Sequence, residues 1–235
     1  MTRRRTYQDK ELLLRNYVRL NRITKTEFKQ LMRLSKDKSS VIRFEVATIL
    51  FDVKNQASKK LLFQLAKDRD SLVRAEAYTS LSGFKFADVE EFLRKAIERE
   101  KDELACSYAI TSWGEVALKL FDEHDEDINY VNKLLRTHKI MVSERCRLEC
   151  YYALYGFGDK KMLKKIMKFL KSTNPYIRYI VYDTLELSVD QDNRSEIIDV
   201  LEKMLVKEEL PEYRKKIISF FLKKQIVEVS VKDNN

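Results

Sequence analysis

Glycine and proline are nearly missing from this sequence, with four of the first and two of the second among 235 residues. A fold of many short strands needs a turn about every ten residues and draws on both residue types, so an all-β sandwich or barrel is excluded. Cysteine is scarce too. Cys106, Cys146 and Cys150 are an odd number with no framework spacing, which excludes a disulfide-stapled scaffold and leaves three small hydrophobes suited to a core. Apolar runs are short: Ile217-Ile218 and Phe220 to Leu222 fall far below the roughly 20 residues that cross a bilayer, so no membrane partner is expected. No positive, apolar, small-residue leader opens the chain, and a reduced cytoplasmic location is the expectation.

What is present in quantity is Leu, Lys, Glu and Ile, the composition of long helices, and the expected class is all-α. A chain of this length with 44% hydrophobic residues buries roughly 70–75% of its unfolded surface, enough for a core without metal or disulfide. The net charge of +9 invites nucleic acid, yet its sign alternates: residues 1–35 carry +7, 36–86 carry +4, 87–130 carry −8, 131–180 carry +9 and 181–235 carry −3. Location therefore decides what the charge means.

The chain repeats itself. Residues Lys36 to Ala47 read K-D-K-S-S-V-I-R-F-E-V-A, and Lys67 to Tyr78 read K-D-R-D-S-L-V-R-A-E-A-Y, displaced by 31 positions. Ser40 and Ser71 are candidate N-caps, and the apolar residues after them recur at three and four, so each copy opens an amphipathic helix. Equivalent positions fall at Arg43, Arg74, Ala105, Arg147, Arg178 and Arg214, in steps of 31, 31, 42, 31 and 36. Residues three and seven later, such as Val46 and Leu50 or Cys150 and Leu154, form an apolar seam. Shorter amphipathic stretches lie between: Thr26 to Leu34, Ser58 to Ala66, Asp88 to Glu100, Ile128 to Arg136, Asp159 to Leu170 and Arg194 to Val206. Thr24 and Glu27 have capping-box spacing, and Pro175 and Pro211 suit helix starts. A helix over about Asp9 to Leu20 should cap the array. The expected organisation is one domain: a basic arm and capping helix over 1–23, repeats over 24–225 and a frayed tail over 226–235.

Asp six positions before Arg, with V/I-R-x-x-A after a short turn, resembles the HEAT repeat and the HEAT-like repeat of the bilin lyases. The matching pairs are Asp37 with Arg43 and Asp68 with Arg74, while Met141, Ser172 and Glu208 stand where Asp would in later copies. The resemblance implies a right-handed α-solenoid of about six helix–turn–helix repeats, in which such Asp and Arg residues hydrogen-bond along the inter-repeat turns. Stacked units of that kind present a concave face lined by each second helix. If the Arg positions start those helices, residues one, five and eight later face solvent. Phe44, Thr48, Trp113, Tyr152, Tyr155 and Tyr179 are then the candidate partner-binding residues, their aromatics suited to interface anchors. Glu45, Glu76 and Glu149 recur beside them, read as a solvated face.

Lys160, Lys161, Lys164, Lys165 and Lys168 share one amphipathic helix and, with Arg3, Arg4 and Arg5, form a candidate basic patch for phosphates or an acidic protein. Cys146 and Cys150 lie four apart near His138 but do not complete a zinc set, and His124 sits in an acidic run without a calcium-loop glycine. No metal or cofactor is expected. No nucleophile–base pair or phosphate-cradling glycine loop is legible, so the expected protein is a non-catalytic scaffold binding a protein partner, of the kind a bacterial regulatory or immunity protein needs. Two alternatives stay open. The length and basic balance are similar to those of the HEAT-like alkylpurine DNA glycosylases, which hold duplex DNA in a basic concave face, and the repeats resemble those of bilin lyases, which act on a tetrapyrrole.

Overall fold

The structure, a computed structural model, describes residues 6–18, 23–190 and 193–219. Among them every regular element is helical. Where the sequence suggested one repeat domain, backbone packing divides the chain into two compact units, residues 1–158 and 159–235. Arg3, Arg4, Arg5, Leu20 and the expected tail over 226–235 lie outside the described residues.

The first unit opens with α1 (Tyr7–Val18), which packs on α3 (Ser40–Asp52) and buries Leu14 and Tyr17. It is pinned by Lys10 Nζ to Asp37 Oδ2 at 2.6 Å and by Tyr17 Oη donating to Gln30 Oε1 at 2.6 Å. Helix pairs follow: α2 (Lys25–Leu34) with α3, α4 (Gln56–Leu65) with α5 (Ser71–Leu81), α6 (Ala87–Arg99) with α7 (Glu103–Leu120), and α8 (Asp125–Leu134) with α10 (Glu144–Gly156). A five-residue helix, α9 (His138–Val142), is inserted in the last pair.

Caps explain where these helices start. Thr24 and Glu27 close the expected capping box before α2, with Thr24 N donating to Glu27 Oε2 at 2.6 Å. Asn55 caps α4, and Asp70 caps α5 by accepting from Leu72 N at 3.0 Å and Val73 N at 3.4 Å. The expected caps Ser40 and Ser71 are instead the first helical residues. The N-cap positions lie one residue earlier, at Ser39, whose side chain makes no capping hydrogen bond, and at Asp70, whose carboxylate takes the two open amides.

The second helices α3, α5, α7 and α10 run side by side and approach one another closely. The first helices meet through long side chains, such as Phe63 of α4 against Phe92 of α6 at 4.5 Å and Lys59 with Asp88 at 2.6 Å. Closer spacing in one layer than in the other curves a stack toward the tighter layer, so within this unit α3, α5, α7 and α10 form the inner layer. A Cβ added at Gly114 of α7 would be in ordinary van der Waals contact, 3.4 Å from Ala153 Cβ of α10. The unit ends where Gly158, at φ +102°, turns the chain after α10, a left-handed position that glycine takes without strain.

The second unit holds α11 (Met162–Lys168) running into a 3-10 turn (Phe169–Lys171), α12 (Pro175–Ser188), α13 (Arg194–Lys207) and a helix over 211–219. Pro175 occupies the first helical turn of α12, as expected, with Asn174 capping it through Tyr176 N at 3.0 Å. Ile166, Leu170, Ile177, Val181, Leu185, Ile197 and Leu201 form its core.

Candidate functional site

An arginine ladder builds the repeats and fixes which side chains are left to face outward. Arg43 grips Asp68 of the next turn through Nε at 2.7 Å and Nη2 at 2.6 Å, while its Nη1 donates to Asp37 O at 2.8 Å. Arg74 repeats this with Glu100, both contacts at 2.7 Å, and donates to Asp68 O at 2.8 Å. In the second unit Arg178 holds Glu208 with two bonds of 2.8 Å and donates to Ser172 O at 3.0 Å. Arg147 to Met141 O and Arg214 to Glu208 O keep the same six-residue reach. The residue six before each arginine therefore receives that arginine on its carbonyl, which Met and Ser possess as much as Asp. Where the position holds a carboxylate, as at Asp68, Glu100 and Glu208, its side chain serves the arginine of the preceding repeat.

Two rungs are doubled by tyrosines four residues after the arginine. Tyr78 Oη donates to Glu100 Oε2 at 3.1 Å and Tyr182 Oη to Glu208 Oε2 at 2.9 Å. Burial alone would raise the Glu100 carboxyl, but Arg74, the Asp102 amide and Tyr78 outweigh it and hold it at about 2. The Arg178 hydrogen bond leads in bringing Glu208 to about 2 as well, against the effect of burial. Burial and the adjacent carboxylates push both tyrosine hydroxyls upward.

The third repeat is shifted by one residue. Its carboxylate, Glu100, stands six before Cys106, so Cys106 and not Ala105 is the equivalent of Arg43, and the period there is 32. Cys106 reaches Ile97 O only at 4.0 Å through its thiol; Lys139 of α9 makes the bridge from the neighbouring repeat, donating to Ile97 O at 2.6 Å and to Glu100 O. The long step to Arg147 is made up by the six or so extra residues of α7, 18 residues long, and by the inserted α9.

This register corrects the aromatic groove. Trp113 is seven residues after Cys106, in the seam with Leu50, Leu81 and Leu154, and is 0% exposed. Its Nε1 donates to Glu90 Oε1 at 2.6 Å, and its ring packs edge-on against Tyr130 at 5.0 Å and Phe157 at 5.6 Å. Arg94 covers that ring and bridges Glu90 at 2.9 Å to Asp127 at 3.0 Å. His124 closes the set, its Nδ1 3.0 Å from Asp127 Oδ2 and its ring stacked on Phe157. Tyr155 is buried as well, at 7% exposure. Residues one and eight after the arginine position lie where each second helix meets its neighbour, as buried Ala75, Ser82, Leu148 and Tyr155 show; Phe44 of this stripe is half-buried.

Solvent is met instead by residues two before and two, five and nine after that position. Val41 and Leu72 are exposed, Glu45, Thr48, Glu76, Thr79, Tyr108, Thr111 and Tyr152 are half-buried, and Asp52 and Glu115 are exposed. Of the expected groove residues of this unit, Thr48 and Tyr152 sit on this face. Hydroxyl groups of one repeat meet carboxylates of the next. Thr111 Oγ1 lies 2.8 Å from Glu149 Oε2 and 3.0 Å from Ser107 O, and Thr48 is hydrogen-bonded to Glu76. Burial pushes Glu149 up to about 7, opposed by the Thr111 hydrogen bond and the Arg145 charge. Burial also raises Glu76, with the charge of Glu45 adding to it. These glutamates are thus desolvated members of the face and not a solvated stripe. Arg145 Nε donates to Ser107 Oγ at 2.7 Å and its guanidinium lies 5.2 Å from the Tyr108 ring centre.

Tyr179 belongs to the second unit, where it is exposed, 5.4 Å from the Tyr213 ring, with Lys216 Nζ 4.3 Å from its centre. Lys160, Lys161, Lys164, Lys165 and Lys168 are all exposed beside buried Met162, Leu163, Ile166 and Met167, as the amphipathic pattern requires. Cys106, Cys146 and Cys150 are buried free thiols. Among the described residues no group of three or more His, Cys, Asp or Glu is placed to hold a metal ion, and no helix is long and apolar enough to cross a membrane. The sequence reading missed Tyr78, Glu100 and Lys139; tyrosines spaced four after Arg74, Arg147 and Arg178 were the available signal.

Fold and face together define an all-α helical repeat scaffold. Residues 29–112 match the family model for HEAT repeats. Among solved structures, YibA of E. coli is similar, with a TM-score of 0.57 and 17% identity over 99% of this chain and 81% of that one. The complex of CpcE and CpcF of phycocyanin lyase from Nostoc sp. PCC7120 is similar at a TM-score of 0.56 and 14% identity, covering 91% of this chain and 86% of that one. At these identities the likeness is one of fold, that of HEAT-like solenoids. Curated protein sequences give no match.

Proposed function

We propose that this chain is a non-catalytic scaffold that binds a protein partner on the inner face of its first unit. The observation that carries this reading is the face itself. Val41 and Leu72 offer exposed apolar side chains, and beside them Glu45, Glu76, Asp52 and Glu115 outnumber Arg145 and Lys119. Stacked inner helices commonly serve as a binding surface in repeat proteins. A partner segment that suits this one presents apolar side chains flanked by lysine or arginine, because each half-buried carboxylate gains from a cation brought into the same low-dielectric strip.

The test is proximity cross-linking in the source cell followed by reciprocal capture with Leu72→Arg and Thr79→Arg variants. Both positions carry little of the core, so the variants should melt like the parent while capture falls at least about tenfold, as expected for introducing charge and bulk at an interface centre. Cross-links confined to α2, α4 and α6, with capture unaffected by both variants, would reject the inner face as the binding surface.

A further inference from the structure

The ladder has a consequence for charge. Each inter-helix turn of the first three repeats reads cation–carboxylate–cation: Lys36-Asp37-Lys38, Lys67-Asp68-Arg69 and Arg99-Glu100-Lys101. The three carboxylates are taken up internally, Asp37 by Lys10, Asp68 by Arg43 and Glu100 by Arg74. The nearby Asp70 and Asp102 accept from backbone amides as N-caps of α5 and α7. The six flanking cations are all exposed, and none forms an ion pair among the described residues.

These turns lie against one another along one edge of the unit. Arg69 Nη2 reaches Lys38 O at 3.4 Å, and Arg43 and Arg74 tie each turn to the next. Two open cavities fill the spaces between them. One of about 500 Å³ is lined by Lys36, Lys38, Lys67 and Arg69, and the other, about 400 Å³, by Lys67, Lys95, Arg99 and Lys101. Lys67 and Asp68 border both, so the two cavities are neighbours on either side of that turn. Phe92 lines the smaller cavity; its ring is backed by Phe63 at 4.5 Å, with Lys67 Nζ 6.0 Å from its centre.

We propose that this turn edge binds single-stranded nucleic acid, phosphates against the paired cations and a base against Phe92. Cations alone suit any polyanion. The second feature, an aromatic ring in a cavity large enough for a small-molecule group, matches the combination of basic track and stacking platform that single strands use. An acidic peptide without aromatic side chains has nothing to stack there. This surface lies at the turns and is distinct from the inner helical face assigned to a protein partner.

The experiment is fluorescence anisotropy of the full chain with a labelled single-stranded homopolymer of about 15 nucleotides, titrated across salt concentrations. Binding should weaken steeply with salt, and the double variant Lys67→Ala/Arg69→Ala should bind at least about tenfold more weakly. Each lost phosphate contact should lower the log–log salt slope by about 0.7. Arg99→Ala/Lys101→Ala should behave alike, with circular dichroism showing that both variants stay folded. The proposal is overturned by no binding at low salt, or by binding that the edge variants leave intact while Lys160→Ala/Lys164→Ala abolishes it. Polyglutamate of equal charge competing as well as the oligonucleotide overturns it too.

Discussion

At the scale of single residues the carboxylates divide into two kinds, and their titration separates them. Glu149 is buried beside Thr111, whose one hydroxyl proton faces two acceptors, Ser107 O and Glu149. Burial favours the protonated form of Glu149 and raises the carboxyl from 4.5 to about 7, against the Thr111 hydroxyl, which donates to Glu149 Oε2 and favours the charged form. The folded chain then holds a proton that the unfolded chain releases above pH 4.5, so stability contributed by this group falls as pH rises from about 4.5 to 7 and is level beyond. The span corresponds to a cost on the order of 3 kcal/mol at pH 8 relative to a group of unshifted pKa. Glu149→Gln keeps the shape and the hydrogen bond without the charge. It should therefore raise stability by about 1–3 kcal/mol at pH 8 and change it little at pH 5, as read by urea unfolding at the two pH values; an equal effect at both would show that ionisation at this site is not what burial penalises.

Between elements, the arginine rungs behave oppositely. Arg74 joins α5 to the turn before α7 at a glutamate whose side chain is 4% exposed and accepts from Tyr78, Lys101 N and Asp102 N besides. Removing one partner of such a pair leaves a buried charge uncompensated, so Arg74→Met should cost about 3 kcal/mol at pH 7. Glu100 is held at about 2 when folded and returns to about 4.5 when unfolded. The stability it contributes is full above pH 4.5 and is lost as pH falls toward 2. The gap between parent and variant should accordingly narrow on acidification below pH 4.5, measured by chemical denaturation. A gap that stays constant with pH would assign the loss to packing instead of the ion pair.

How far these elements were legible in the sequence follows from the same rungs. Where Arg, Asp and the apolar seam coincide, as at Arg43 and Arg74, the helix starts fell within a residue or two of the sequence reading. The third repeat keeps the seam but replaces Arg with Cys106 and Asp with Glu100. A strict 31-residue step then landed on Ala105, and one residue of error moves a helical side chain by about 100°. That error alone turned Trp113 outward in the sequence reading. Position five is on the solvent face, as Thr48 and Tyr152 show, but the choice of one and eight as exposed positions failed for a different reason. It placed the close side-by-side packing of α3, α5, α7 and α10 on the solvent side, and that packing depends on neighbours whose spacing no single helix encodes.

For the molecule as a whole, the informative boundary is Gly158. It follows α10 in a left-handed conformation, and the division into two compact units falls immediately after it. The groups that hold the first unit together are internal to it. Trp113 is satisfied by Glu90, Tyr130 and Phe157, Glu100 by Arg74, Tyr78 and the amides of its own turn, and Glu149 by Thr111. In repeat arrays, stability is a sum of each repeat and its nearest-neighbour interfaces, so a segment containing several complete repeats folds without the rest. Residues 1–158 expressed alone should therefore be helical by circular dichroism and unfold cooperatively in urea, with an m-value reduced from that of the whole chain roughly in proportion to length. Trp113 provides an independent readout. Its fluorescence should shift on unfolding of the fragment as it does in the full chain, and Trp113→Ala should destabilise both by about 3–5 kcal/mol because the cavity it leaves is the same in each. A fragment whose tryptophan is already in water under native conditions would mean that the seam around α7 requires residues beyond 158, and that the repeats fold only as one array.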